Sequence, residues 1–104
     1  MIWAMVKHIV FWKLKEGIRG TEREDVLKKI KDGFEAMAGK IPGLRTIELG
    51  ITFSGGAESA DFCLYCEFES REALEGYNTH PLHQAMVTVV REVRVERRVA
   101  DYTV

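Results

Sequence analysis

The densest group of chemically competent side chains is Tyr77-Asn78-Thr79-His80-Pro81-Leu82-His83, where a phenol and two imidazoles gather. Proline suits the first turn of a helix, because its missing N–H would go unused there. The segment therefore predicts a helix opening at His80-Pro81, with His80 as the capping residue and His83 in the first turn. The positive end of that helix disfavours imidazolium, which keeps His83 neutral near pH 7 and able to accept a proton. His8 lies in the first strand on the face expected to meet the helices, so His8, Tyr77 and His83 are candidates for one cavity. From the last strand, Asp101 is a candidate to orient an imidazole and Arg97 to hold an anionic ligand. Trp12, Ile47, Leu64 and Met86 complete the expected apolar lining. A plain alternative stays open for each: structural histidines with satisfied hydrogen bonds, and a tyrosine that only packs.

The elements that would position these groups follow from periodicity. Residues 6–14 alternate, with Val6, His8, Val10, Trp12 and Leu14 on one face and Lys7, Ile9, Phe11 and Lys13 on the other. After Gly17 and Gly20, Thr21 and Glu24 have capping-box spacing and open a helix. Its expected apolar stripe is Val26, Leu27, Ile30, Phe34, Met37 and Ile41, ended by Pro42-Gly43. A second strand is expected over 45–53, with Ile47, Leu49, Ile51 and Phe53 on one face, and a third over 62–69. Ser70 then caps a short helix reaching about residue 77. The next helix carries Leu82, Met86, Val89 and Val93 inward, and residues 95–104 close the chain as a strand.

The order β-α-β-β-α-β, with its second helical region split, is a ferredoxin-like split βαβ pattern of the α+β class. It builds a four-stranded antiparallel sheet with helices on one face. Ile9, Phe11, Tyr65 and Tyr102 then lie on the uncovered face. A second copy packing sheet against sheet would bury them, so a homodimer is expected.

With 104 residues the chain has room for one domain, expected over 6–104 behind a short extension of residues 1–5. Met1 and Met5 are equally sensible starts. At 46% hydrophobic and 30% charged residues, the composition fits neither a disordered nor a membrane protein. Fifteen basic residues against 16 acidic ones leave a net charge of −1, too little positive charge for sequence-independent phosphate binding, so no nucleic-acid partner is expected. Arg91, Arg94, Arg97 and Arg98 cluster, but Glu92 and Glu96 interleave, which reads as a solvated or salt-bridged face. The start of the chain lacks a signal-peptide core and no run is long enough to span a membrane, so a cytoplasmic protein is expected. Cys63 and Cys66 are three apart in a strand and point to opposite faces, which excludes joint chelation. The three histidines lack a convincing additional metal ligand. Neither a metal nor a cofactor is expected.

Val6-Lys7-His8, Phe68-Glu69-Ser70, Tyr77-x-x-His80-Pro81-x-His83 and Asp101-Tyr102 together resemble the stress-responsive A/B barrel, or Dabb, family from residue 6 onward. The resemblance implies a ferredoxin-like protomer, two of which form a dimeric α+β barrel. It is similar to the olivetolic acid cyclase-type enzymes of that family, which close a polyketide without a cofactor. This implies His83 as the base, Tyr77 as a hydrogen-bond donor to a carbonyl, His8 as a pocket residue and Asp101 as the group orienting His83. Phe62 stands where such a cyclase has a further histidine, and Arg97 where its pocket is apolar. The implied ligand is a smaller anion than a polyketide. Other relatives imply a third role, as non-catalytic protective oligomers.

Overall fold

The computed structural model describes residues 4–104; residues 1–3 of the expected N-terminal extension lie outside this range. Strand β1 (Val6–Leu14) buries every second residue from Val6, as its alternation requires. It pairs antiparallel with β3 (Phe62–Phe68) on one side and β4 (Arg94–Thr103) on the other. Strand β2 (Leu44–Ile51) pairs antiparallel with β3, giving the order β2-β3-β1-β4. Met5 and Val104 exchange two backbone hydrogen bonds, so the β1–β4 ladder continues past both strand ends.

Three helices cover one face: α1 (Gly20–Glu35), α2 (Arg71–Thr79) and α3 (Pro81–Val93). The fold is thus the expected ferredoxin-like α+β arrangement. Helix α1 buries Leu27, Ile30 and Phe34 against the sheet, and Trp12 stacks on Phe62 at 4.8 Å between ring centroids. Adjacent core positions are filled by Val10, Leu49, Leu64 and Phe68.

Several boundaries differ from the expectation. The Thr21–Glu24 capping box does not form, because α1 begins at Gly20 with Arg19 at its cap and no side chain bonds the first turn. The helix ends at Glu35; Met37 and Ile41 are buried from the turns that follow. Strand β2 stops at Ile51, which is half exposed, and Phe53 is 100% exposed beyond it. Leu82 faces outward, and Val90 joins Met86 as the buried residue of α3. These errors share a cause: periodicity identifies an apolar face but not where the neighbouring element ends.

Helices α1 and α3 leave β4 uncovered, so β4 is exposed over nearly its whole length. Its register places Arg97, Val99 and Asp101 opposite Trp12, Val10 and His8 on the helix side. The other sheet face carries Phe11 and Tyr102, each nearly half exposed, together with Ile9 and Tyr65. Toward one end of that face Tyr65 donates to Glu67, which also accepts from Thr46 and pairs with Lys7.

Candidate functional site

The α2–α3 junction is built by two caps. Ser70 Oγ accepts the Ala73 N–H at 3.0 Å and starts α2; His80 Nδ1 accepts the Leu82 N–H at 3.1 Å and starts α3. The chain turns sharply between them, which sets Tyr77 from the end of one helix against His83 from the start of the next, ring centroids 4.2 Å apart. His83 Nδ1 lies 3.1 Å from the Asn78 carbonyl. A carbonyl can only accept, so Nδ1 carries the proton and Nε2 is left as the base.

His8 reaches the same place from β1. It is 3% exposed, its ring 5.9 Å from that of Tyr77, and its Nδ1–H donates to Asp101 Oδ1 at 2.5 Å. Asp101 therefore orients His8 rather than His83, because β4 pairs the two residues directly across the ladder. Tyr77 is 0% exposed and its hydroxyl has no hydrogen-bond partner among the described residues. Burial drives its phenol well above the ordinary tyrosine range, so it is a donor and never a phenolate near neutrality.

These groups border a cavity of about 390 Å³ between sheet and helices. Val10, Trp12, Phe34, Leu64 and Val90 form its apolar wall, and Asn78, Gln84, Arg91, Arg94 and Arg97 line it as well. Of the expected site residues, His8, Trp12, Leu64, Tyr77, His83 and Arg97 come together here. Ile47 and Met86 do not: Ile47 lies on β2 two strands away from β1, and Met86 packs over Gly33 of α1. Asp101 reaches the cavity only through His8. Arg91 and Arg94, expected on a solvated or salt-bridged face, line the cavity with no ion pair among the described residues. No local signal marks them; Arg94 shares the helix-side face with Arg97 because the β1–β4 register shifts between Lys13 and Leu14. A wider hollow of about 730 Å³ lies on the opposite face, between Phe11, Cys63 and the 52–60 loop, away from every histidine.

Burial holds His83 below the ordinary imidazole range. Its bond to Asn78 opposes this, and His8 and Arg97 reinforce it. The unfolded chain then takes up a proton at a higher pH than the folded one. The stability linked to His83 is complete above pH about 6.5 and is lost as pH falls through the folded value. Denaturation between about pH 7.5 and about pH 5 is expected to show this loss, and His83→Gln to remove that portion of it.

Among the described residues no three His, Cys, Asp or Glu side chains gather to hold a metal ion. Cys63 and Cys66 lie on opposite sheet faces, and burial pushes the Cys66 thiol up to about 12, so it is protonated at neutral pH.

A ferredoxin-like protomer with one helix-covered face and an imidazole–phenol pair over an inner cavity defines a class of small α+β barrel proteins. The model of the stress responsive A/B barrel domain, Dabb, matches residues 6–104, and the chain belongs to that family. An uncharacterised protein of Streptomyces coelicolor is 34% identical over 88 residues, covering 85% of this chain and 89% of that protein. A dimeric protein of unknown function and ferredoxin-like fold from Bacteroides fragilis superimposes with a TM-score of 0.88 at 35% identity, covering 96% of each chain. Hydroxynitrile lyase from Passiflora edulis shares the fold alone, with a TM-score of 0.79 at 14% identity over 96% of this chain and 93% of that one.

Proposed function

We propose that this Dabb protein is a cytoplasmic homodimer that binds a small, partly apolar, anionic metabolite in the cavity between sheet and helices. The observation that carries the reading is the buried Tyr77 hydroxyl without a partner among the described residues, set against a neutral His83. An unmatched buried donor costs about 1 to 3 kcal/mol. A ligand carbonyl or hydroxyl entering beside His83 would give it an acceptor. The test is a thermal-shift screen against aromatic, phenolic and aliphatic carboxylates and thioesters. A ligand at about 100 times its Kd adds about 2.7 kcal/mol, enough to raise the midpoint by several degrees in a domain of this size. No response across the panel, with an unusually high midpoint for the bare protein, favours a protective oligomer instead.

The same pair supports a second reading, a cofactor-independent cyclase, isomerase or monooxygenase-like enzyme. His83 Nε2 would take a proton from carbon or hydroxyl, and Tyr77 would donate to the oxygen on which charge develops. The hydroxynitrile lyase of the same architecture is in keeping with a catalytic use of the fold.

The dimer rests on the exposed apolar sheet face and on relatives described as dimeric. Phe11, 45% exposed at its centre, becomes a buried charge in the dimer when replaced by Glu. Phe11→Glu is expected to elute as a monomer in light-scattering chromatography while wild type elutes as a dimer. A dimeric variant would place the interface elsewhere. The free thiols suit a reducing compartment.

A further inference from the structure

The cavity has one wall that neither the imidazole–phenol pair nor the apolar lining explains. Arg91 from the last turn of α3, Arg94 from the first position of β4 and Arg97 three residues on all line it. No carboxylate lines the cavity, and none of the three arginines forms an ion pair among the described residues. The glutamates that alternate with them in sequence, Glu92 and Glu96, are outside the cavity lining. Three cations facing one hollow repel each other, and low-dielectric apolar walls strengthen their common field. Arg91 and Arg97 are exposed and Arg94 is half-buried, so the three edge the open side of a hollow whose inner wall is apolar, at Val10, Leu64 and Val90.

Resting on the reading that the cavity holds a ligand, we infer that the ligand is an amphipathic acid whose head carries two negative charges, a phosphate monoester or a dicarboxylate. Its apolar body lies against Val10, Leu64 and Val90, and its head is held at Arg91, Arg94 and Arg97. Guanidinium forks match both head groups in two-point geometry, which lysine would not. At about 390 Å³ the cavity is near the small end of ligand pockets, roughly 300 to 1,000 Å³, which suits a single ring or short chain as the body.

Titration calorimetry of the intact protein tests this with four probes of one ring size: phenyl phosphate, phthalate, benzoate and benzyl alcohol. At about pH 7.5 the phosphate monoester carries close to two charges. At least one of phenyl phosphate and phthalate is expected to bind about tenfold or more tighter than benzoate, with benzyl alcohol weakest. Which dianion binds more tightly distinguishes the phosphate source from the dicarboxylate one. R94Q and R97Q are each expected to weaken the preferred dianion about tenfold while leaving benzyl alcohol unchanged, and R97K to recover only part of the loss. Equal affinities for all four probes, abolished together by His83→Ala, would overturn the charge assignment and leave the cavity as a ligand site. Unchanged dianion binding in folded R94Q and R97Q would do the same. Failure of every probe, neutral and charged, overturns both the assignment and the reading beneath it.

Discussion

His83→Ala is expected to weaken ligand binding about ten- to a hundredfold, and any turnover by about two to four orders of magnitude, with the fold intact. Among the described residues the imidazole makes one hydrogen bond, to the Asn78 carbonyl, and it packs on the Tyr77 ring. Alanine removes that bond but is a better helix former, so the stability change is expected to stay within about 1 kcal/mol. Tyr77→Phe gives the sharper contrast. The hydroxyl has no partner among the described residues, so its removal is expected to raise stability by up to about 1 to 2 kcal/mol while weakening the ligand. A stabilised variant with impaired binding is the mark of a group held for function against the interest of the fold. Urea denaturation and calorimetry on both variants read the two quantities separately. Unaltered ligand affinity in both would remove the pair from the site, and lost stability in Tyr77→Phe would make the tyrosine structural.

The largest stability effect is expected at Gly43→Ala, in the turn between α1 and β2. Gly43 has φ of 79°, where a side chain costs about 1 to 2 kcal/mol. A Cβ there would also stand 2.5 Å from the Ala73 Cβ of α2, an overlap neither backbone can yield without moving. Overpacking adds about 1 to 3 kcal/mol, giving a total of about 2 to 5 kcal/mol. In a domain of this size that lowers the melting midpoint by on the order of 10 °C or more. Gly76→Ala, in the same helix with nothing near its Cβ, is the control and is expected to stabilise by up to about 1 kcal/mol. Equal stability of the two variants would show that α2 is free to shift away from Gly43. Because α2 carries Tyr77, Gly43→Ala is also expected to disturb ligand binding at a distance.

Much of this protein was legible in its residue order, because strand alternation and helix caps act over a few positions. The two faces of β1, the Ser70 cap and the His80-Pro81 start of α3 are local consequences of side-chain shape and backbone hydrogen bonding. They place His83 in a first helical turn before any tertiary contact is considered. The split βαβ order, and with it an uncovered sheet face, follows from the same short-range patterns.

Only the folded chain decided which groups meet. Asp101 bonds His8 because residues 93 apart in sequence fall opposite each other in the β1–β4 register, and a short motif carries no information about that register. Met86 and Ile47 have the apolar character expected of a lining, yet one packs over Gly33 and the other lies toward the far edge of the sheet. Arg91 and Arg94 are the reverse case. Alternation with glutamates reads as a charge-paired surface, but Arg94 and Arg97 fall on the helix-side face of β4 while Glu96 and Arg98 fall on the other. Local sequence specifies which elements form and which face of each is apolar; the angle and register at which those elements pack decide which side chains share a cavity.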